Sequence, residues 1–276
     1  MLENPEFSIS MVHNLAYVHP KAKIGNNVTI EPFAYVAADV EIGDGSWIGP
    51  NAVIFDGARI GKNCKVFNGA SISAIPQDLK YKGEPTLTVI GDNSIIRECV
   101  TLNKGTTALN QTSVGTNCLI MAYVHVAHDC IIGNNCILVN SVQLAGHITI
   151  DDWAIVGGTS AVHQFVRIGA HAMVAGGALV RKDVPPFTKA AREPLSYCGV
   201  NSVGLRRRGY TNEQINQIAE IYRTMYQKGL NTAQALKVIE LEHTPSNERD
   251  EIINFISKSE RGILKGPDLN ASFDAD

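Results

Sequence analysis

The sequence predicts an all-β parallel β-helix, a solenoid of hexapeptide repeats, followed by a small α-helical C-terminal domain. Three observations support this fold class: an aliphatic residue recurs at every sixth position, glycine and asparagine follow it, and the spacing becomes helical near the C-terminus. Of the 29 positions from 12 to 180 that are multiples of six, 26 are Ile, Val or Leu. Chance does not produce a repeat of this length.

The residues after each aliphatic position define the turns of the predicted solenoid. Glycine often comes first and Asn or Asp next, as in IGNN (24–27) and IGDG (42–45). Each hexad is therefore predicted to be a short strand with one inward aliphatic side chain, then a turn in which Gly and Asn adopt positive φ. A period of six matches neither an α-helix nor an alternating sheet, and it indicates stacked coils.

Three exceptions to the repeat predict loops. Asp78 and Glu84 interrupt it within SISAIPQDLKYKGEPTLT (71–88), and Ala108 interrupts it within NKGTTALNQTS (103–113). The register resumes after each segment, so both segments are predicted to leave the coils as loops. Loops on a rigid scaffold commonly carry binding residues.

The repeat ends after Val180, close to the proline pair of KDVPPF (182–187), which predicts a domain boundary. We assign residues 1–188 to the β-helix and residues 189–276 to the helical domain. Thr211 begins the first predicted helix, because it forms a capping-box sequence with Gln214. The predicted elements of this domain are a helix from Thr211 to Gly229, helices at 232–242 and 247–261, the last closed by Gly262, and a disordered tail at 266–276.

Composition narrows the class of protein. A formal charge of −3 argues against bulk nucleic-acid binding. The N-terminal segment MLENPEFSIS has no basic leader, and no later stretch approaches the roughly 20 apolar residues that span a bilayer. We therefore expect a cytoplasmic protein without stable membrane insertion. The six cysteines form no CxxC pair and lie mostly in apolar runs, which predicts buried free thiols.

Half of the eight histidines fall in one part of the predicted solenoid. These are His125, His128, His147 and His163. If three hexads make one coil of 18 residues, Gly146 lies over His128 and Gln164 lies over Gly146. The four imidazoles then gather on three consecutive coils.

This histidine cluster has three interpretations. It could be a set of polar residues on an exposed solenoid face. It could be a zinc site, because γ-class carbonic anhydrases bind zinc between hexapeptide-repeat subunits. Those enzymes have a His-x4-His pair and a third histidine, whereas His125 and His128 are separated by two residues. We favour the third interpretation, in which His128 is a general base near neutral pH and Asp129 fixes its tautomer.

Six motifs carry a resemblance to a known family. They are QDLKYKGEP (77–85), HVAHDC (125–130), LAGH (144–147), GGTSAVHQF (157–165), KDVPPF (182–187) and GVNSVGLRRRGY (199–210). With these motifs the chain resembles the UDP-N-acetylglucosamine acyltransferases, which perform the first reaction of lipid A synthesis. The resemblance spans nearly the whole chain. It implies 18-residue coils with left-handed winding, whereas the usual crossover rule would give the opposite hand.

The resemblance also implies a reaction. A 3-hydroxyacyl group passes from acyl carrier protein, which carries it as a phosphopantetheine thioester, to the glucosamine 3-hydroxyl of UDP-N-acetylglucosamine. The sites lie in clefts between the subunits of a homotrimer, and no metal, other cofactor or covalent acyl-enzyme is expected. His128 matches the catalytic base, and Gly146 matches the residue whose backbone N–H stabilises the oxyanion.

The remaining matched positions are expected to bind substrate. They are Gln77, Asp78, Lys80, His125, His147, His163, Gln164, Gly176, Asn201, Arg207 and Arg208. Gly176 occupies the position of a ruler for acyl chain length, and a residue without a side chain should leave the groove open to a long chain. Arg207 and Arg208 are expected near the pyrophosphate, because guanidinium groups fork onto its oxygens.

Two positions depart from the family pattern. Pro194 stands in REPLSYCGV (192–200), where relatives carry a histidine in a GNHA-like stretch, and Val203 stands where they carry an acid. We therefore expect rearranged nucleotide contacts there that use Arg192. Two alternatives remain open: an N-acyltransferase of the same superfamily that acts on a later glucosamine intermediate, and a purely structural solenoid.

Overall fold

The computed structural model describes residues 11–266 and confirms the predicted fold class, a left-handed parallel β-helix with a small helical domain at its C-terminal end. Short strands of mostly two residues alternate with tight turns along the β-helix. In chain order the strands are β1 (Met11–Val12), β2 (Tyr17–Val18), β3 (Lys23–Ile24), β4 (Thr29–Ile30), β5 (Tyr35–Val36), β6 (Val40–Ile42), β7 (Trp47–Ile48), β8 (Val53–Ile54), β9 (Ala58–Ile60), β10 (Lys65–Val66), β11 (Ser71–Ala74), β12 (Leu87–Ile90), β13 (Ile95–Ile96), β14 (Thr101–Asn103), β15 (Gln111–Val114), β16 (Leu119–Ile120), β17 (His125–Val126), β18 (Ile131–Ile132), β19 (Ile137–Leu138), β20 (Gln143–Leu144), β21 (Thr149–Ile150), β22 (Ile155–Val156), β23 (Ala161–Val162), β24 (Arg167–Ile168), β25 (Met173–Val174), β26 (Leu179–Val180), β27 (Thr188–Ala191) and β28 (Ser196–Val200).

Every third strand belongs to the same sheet, so β1 to β26 form three parallel sheets around one core. Ile30 lies opposite Ile48, and Ile48 lies opposite Val66. These partners are 18 residues apart, which confirms that three hexads make one coil. The repeated aliphatic side chains fill the interior, and Ile48, Ile54 and Val66 have no exposed surface. Full burial of such a side chain contributes roughly 1.5–3 kcal/mol relative to exposure.

The glycines after the aliphatic positions have a different role from the one predicted. Positive φ occurs later in the turn, for example at Asn27 and Asn63, with φ of 55° and 53°. The preceding glycine is needed because neighbouring coils approach closely: a Cβ on Gly43 would lie 2.7 Å from the carbonyl carbon of Gly61. The prediction that asparagine adopts positive φ in these turns is confirmed, whereas the one for these glycines is wrong.

Two loops leave the coils where the repeat is interrupted, as predicted. One occupies residues 75–86 between β11 and β12, and the other occupies residues 104–110 between β14 and β15. Val66 pairs with Ile96, and Leu102 pairs with Val126. The first coil therefore spans 30 residues and the second 24, so both insertions are multiples of six and the register is preserved.

Four helices form the C-terminal domain. They are α1 (Ser202–Arg207), α2 (Asn212–Gln227), α3 (Thr232–Glu242) and α4 (Asn247–Ser257). The capping box of Thr211 and Gln214 is present and α3 has its predicted bounds, but α1 was not predicted. The prediction that the last helix runs to 261 is wrong. The chain turns away after Ser257 because Ser259 donates to the Asp183 carboxylate and Ile263 forms a parallel bridge with Asp183.

The two parts of the chain meet through sheet pairing and side-chain packing. β27 continues the first sheet beyond β25, and β28 pairs with β27 in the antiparallel direction. Phe187 lies in the core of the helical domain beside Tyr222, whose hydroxyl donates to the Pro186 carbonyl at 2.6 Å. The domain boundary at 188/189 stays a prediction, and the tail predicted to be disordered lies outside the described residues from position 267.

Two further expectations concern the cysteines and the membrane. All six cysteines are free, and Cys64, Cys118, Cys130 and Cys136 are buried, which confirms the prediction of mostly buried thiols. Among residues 11–266, every helix is too short or too polar to span a lipid bilayer.

Candidate active site

His128 lies in the turn after β17, with its ring held against the next coil. Val126, Leu144 and Val162 stack in register, which places Gly146 over His128 and Gln164 over Gly146 as predicted. A Cβ on Gly146 would lie 2.7 Å from Cε1 of the His128 ring. Only glycine leaves room for the imidazole at this position. The Gly146 N–H donates to no acceptor within residues 11–266, so it is available to a ligand beside the ring.

Asp129 orients the His128 ring. Its Oδ2 lies 2.8 Å from Nδ1 of His128, and the carboxylate is almost completely buried. Asp129 adopts a φ of 58°, and its backbone N–H donates to Oγ1 of Thr112 at 2.8 Å. This left-handed turn directs the carboxylate back beneath the imidazole, so two consecutive residues can form a hydrogen-bonded pair.

The Asp129 carboxylate is ionised. Burial acts to raise its pKa, but hydrogen bonds from the Thr106 hydroxyl and from His128, together with the backbone N–H groups of Thr106 and Leu109, outweigh burial and lower it. An ionised carboxylate only accepts hydrogen bonds, so the proton between the two side chains resides on Nδ1 of His128. Nε2 of His128 then carries a lone pair, which is the form required of a general base.

Asp78 faces that lone pair from the 75–86 loop. Its Oδ2 lies 4.0 Å from Nε2 of His128, and its Oδ1 accepts the Lys80 N–H at 2.9 Å. Gln77 and Lys80 flank it with exposed side chains. The loop thus brings Asp78 to the predicted base and presents an amide and a cation beside it.

The other three predicted histidines lie along the same edge. His125 contacts Thr101 through Nδ1 at 2.7 Å, and burial lowers the pKa of His125, so it is neutral at neutral pH. The His147 ring meets the His128 ring edge-on, with centroids 5.0 Å apart, and stacks on Phe165 at 4.7 Å. His163 is exposed, and its Nδ1 lies 3.2 Å from the carbonyl oxygen of Gln164.

Gly176 lies three coils from the coil of His128, on an exposed turn. A Cβ there would lie 3.2 Å from the Gly158 carbonyl oxygen, a tight but relievable contact. Gly177, with φ of 72°, supplies the positive φ of this turn. Gly176 is therefore not needed for backbone geometry, which leaves its proposed role as a ruler open.

The three predicted nucleotide-binding residues belong to the helical domain. Asn201 is buried, caps α1 by accepting the Gly204 N–H and donates to the His171 carbonyl. Arg207 is exposed, whereas Arg208 is half-buried with Nη1 3.3 Å from Nδ1 of His171. Within residues 11–266, no hydrogen bond joins these residues to His128.

Thr106 and Phe165 contact the site but were not singled out from the sequence. Thr106 lies in the loop that the interrupted repeat predicts, and the only signal for it was that loop. Its contact with Asp129 depends on how the loop folds over the coil, which the repeat does not specify. Phe165 ends the GGTSAVHQF motif, and its stacking on His147 follows from the coil register.

His128, Asp129 and His147 also meet the distance criterion for a metal cluster, because their potential ligand atoms lie within 4.8 Å of one another. Oδ2 of Asp129 is, however, already shared by two donors, Nδ1 of His128 and the Thr106 hydroxyl. This arrangement is that of a hydrogen-bonded acid–base pair, and it leaves Nε2 of His128 directed toward Asp78.

The β-helix with its histidine-lined edge defines the class of hexapeptide-repeat acyltransferases. The family model for bacterial transferase hexapeptides (six repeats) matches residues 21–56, 39–74 and 111–146, and the model for domain 2 of UDP-N-acetylglucosamine O-acyltransferase matches residues 183–264. The chain belongs to the UDP-N-acetylglucosamine O-acyltransferase family and is an acyltransferase.

Curated relatives and solved structures carry this assignment. The acyl-[acyl-carrier-protein]--UDP-N-acetylglucosamine O-acyltransferase of Janthinobacterium sp. (strain Marseille) is 46% identical over 93% of this chain and all of its own length. That of Herminiimonas arsenicoxydans is 44% identical with the same coverage. The UDP-N-acetylglucosamine acyltransferase structure from Bacteroides fragilis aligns with a TM-score of 0.91 at 51% identity, over 92% of this chain and all of its own. The Francisella novicida enzyme aligns with a TM-score of 0.91 at 43% identity, over 96% of this chain and all of its own.

Proposed function

We propose that the protein transfers a 3-hydroxyacyl group from acyl carrier protein to the glucosamine 3-hydroxyl of UDP-N-acetylglucosamine, the first step of lipid A synthesis, with His128 as general base. The His128–Asp129 pair beside the free N–H of Gly146 carries this proposal. The names of the relatives supply the two substrates, and the geometry supplies a base, its orienting carboxylate and an oxyanion donor.

In the proposed mechanism, Nε2 of His128 takes the proton of the sugar 3-hydroxyl as its oxygen attacks the thioester carbonyl carbon. Asp129 stabilises the imidazolium that forms. The Gly146 N–H donates to the oxyanion, where a preorganised donor is most effective. The C–S bond then breaks, and the leaving thiolate takes the proton from His128, which gives an ester and a free thiol on the carrier protein.

The surrounding residues have supporting roles in this proposal. Asp78 accepts a hydrogen bond from the sugar, because its carboxylate lies across the cleft from Nε2 of His128. His125, His147, His163 and Gln164 line the substrate cleft, and Gln77 and Lys80 contact it from the 75–86 loop. No metal or further cofactor takes part, because the thioester is already activated and the base is an imidazole.

The proposal includes a homotrimer in the cytoplasm, where both substrates are made. Large apolar side chains stand exposed on the β-helix and on the 75–86 loop, including Tyr123 at 62%, Ile75 at 68% and Leu79 at 106%. Exposed apolar groups on a scaffold of this kind favour association with another surface. Sedimentation analysis of the purified chain should give three times the monomer mass of 29.8 kDa.

The direct test is incubation of the purified protein with UDP-N-acetylglucosamine and 3-hydroxyacyl carrier proteins of several lengths, followed by product mass spectrometry. We expect a mass gain of one 3-hydroxyacyl group on the UDP-sugar, with no loss of activity when a chelator is added. No product with any donor would contradict the proposed function. Stoichiometric zinc, with activity lost on chelation and restored by zinc, would favour the carbonic anhydrase-like interpretation.

A further inference from the structure

The 104–110 loop folds over the buried carboxylate of Asp129. Oγ1 of Thr106 lies 2.6 Å from Oδ2 of Asp129, and the Thr106 N–H donates to Oδ1 at 3.0 Å. The Leu109 N–H also donates to Oδ1, at 3.1 Å. The loop thus contributes three of the hydrogen bonds that hold Asp129, and the only side chain among these donors is the Thr106 hydroxyl.

The direction of the Thr106 hydroxyl is fixed by its neighbours. Oγ1 accepts the Ala108 N–H at 3.2 Å, so one of its lone pairs is occupied within the loop. Because the ionised carboxylate has no proton to give, the hydroxyl hydrogen points at Oδ2 of Asp129. The same oxygen accepts from Nδ1 of His128 at 2.8 Å. Two donors therefore share one carboxylate oxygen.

This sharing affects His128. A hydrogen bond from a hydroxyl neutralises part of the negative charge on Oδ2, and the remaining charge is what stabilises the His128 imidazolium. We propose that Thr106 is a positioning residue that sets, through Asp129, the pH range in which His128 is an unprotonated base. This inference rests on the proposed function of His128 and extends it to a residue that does not touch substrate.

The charged and titratable groups that face this pair are few within the described residues. Asp78 faces Nε2 of His128 at 4.0 Å from the 75–86 loop. His147, from the next coil, lies edge-on to the His128 ring, with Nε2 3.9 Å from Oδ2 of Asp129. Thr106 is retained with both of these groups in every comparison below, so a change of the hydroxyl isolates its own effect.

The test compares Thr106→Val, which removes the hydroxyl at nearly constant shape, with Thr106→Ser, which keeps it. Thr116→Val is the matched control, because the Thr116 hydroxyl and N–H both donate to Oδ1 of Asn134 at 2.9 Å, in the same pattern on a different turn. Two readouts are needed: the acid limb of kcat/KM against pH, and the NMR titration of the His128 Cε1–H signal, identified by its loss in His128→Ala.

For Thr106→Val we expect the acid limb and the NMR midpoint to move upward together by about 0.5–1 pH unit, because Asp129 then stabilises the imidazolium more strongly. We expect Thr106→Ser and Thr116→Val to keep both wild-type values. A folded Thr106→Val with wild-type values for both would overturn the inference, and so would a lower kcat with an unmoved acid limb and midpoint, since that result indicates a merely structural role.

If Thr106→Val does not fold, Thr106→Ala carries the same expectation and the same overturning result. The NMR titration needs no turnover, so it separates this inference from the proposed function. A wild-type protein without acyl transfer would contradict the proposed function, while the shift of the His128 signal would still decide the role of Thr106.

Discussion

At the residue scale, the turn at Asp129 explains how two neighbours in sequence act as a pair. A φ of 58° places its carboxylate beneath the His128 ring instead of pointing it away along the strand. The local conformation, more than the sequence adjacency, therefore creates the acid–base pair. Gly146 completes the arrangement, because any side chain there would occupy the space of the imidazole.

We predict that His128→Ala lowers kcat by at least roughly 100-fold while the KM for UDP-N-acetylglucosamine changes little, since loss of a general base removes transition-state chemistry more than ground-state binding. Steady-state kinetics with a fixed acyl donor measure both constants. His13→Ala is the control, because His13 is exposed near the N-terminal end of the β-helix. Activity of His128→Ala within about tenfold of wild type would contradict the assignment of the base.

Sequence reasoning reached the histidine cluster at this scale but not the threonine that supports it. The period of six fixes which residues stack, so the column of His128, Gly146 and Gln164 could be predicted from numbering alone. Thr106 could not, because its position depends on the path of a loop outside the repeat. The role of Asp129 was predicted from adjacency, and the distance of 2.8 Å depends on a turn that the sequence does not specify.

At the element scale, the turns of the last coils are candidates for the wall of an acyl groove. Because Gly177 supplies the positive φ, a side chain at Gly176 meets only the Gly158 carbonyl oxygen. The added chain would project from an exposed turn into the space beside the coils. This geometry allows the ruler hypothesis to be tested without breaking the fold.

We predict that Gly176→Met shifts the preference toward shorter 3-hydroxyacyl donors, because each methylene excluded from the groove loses up to about 0.8 kcal/mol of burial. The measurement is kcat/KM for a series of donor lengths. Gly83→Met is a comparison variant, since nothing lies within 4 Å of a Cβ at Gly83. A folded Gly176→Met with the wild-type length profile would show that the ruler lies elsewhere.

The exposed cations on two elements should serve the anionic substrates. Lys80 lies on the 75–86 loop and Arg207 on α1, and both are exposed, whereas Arg208 also packs on Trp153. We predict that Lys80→Ala and Arg207→Ala each raise KM for one substrate by about 3- to 10-fold with little change in stability, and that raised salt weakens carrier-protein association. Unchanged kinetics in both variants would contradict this assignment.

At the scale of the whole molecule, the aromatic junction between the β-helix and the helical domain holds a neutral histidine. The His171 ring stacks on Trp153 and Phe187, and Tyr210 and Arg208 contact its two nitrogens at 3.3 Å. Burial, followed by the charge of Arg208, lowers the pKa of His171 to about 4. The ring therefore stays uncharged in the folded protein over a pH range in which an unfolded chain would protonate it.

This difference predicts how stability depends on pH. Below about pH 6.5 the unfolded state binds a proton at His171 that the folded state does not, so the free energy of unfolding falls as the pH drops toward about 4. We expect His171→Phe, which keeps the stacking, to lose about 1–2 kcal/mol less than wild type between pH 7.5 and pH 5. Urea unfolding at fixed protein concentration measures this, and equal losses in both proteins would contradict it.

The overall architecture could be predicted almost completely from the sequence, and the helical domain only in part. The repeat specifies the number of coils and the two loops because each aliphatic position must face one shared interior. Helix α1 was missed because its six residues are too few to show a helical period. The end of α4 was misplaced because contacts with Asp183, which is distant in sequence, stop the helix before Gly262.

The stacking of coils, each of which pairs only with the coils next to it, has a consequence for how the molecule opens. Such a structure unravels from its ends, because an end coil has one neighbour and an inner coil has two. The helical domain covers one end, whereas β1 to β3 have mostly exposed side chains at the other. Native-state hydrogen exchange should therefore be at least about tenfold faster in these first strands than at β17, and the catalytic pair should remain protected while the N-terminal end frays.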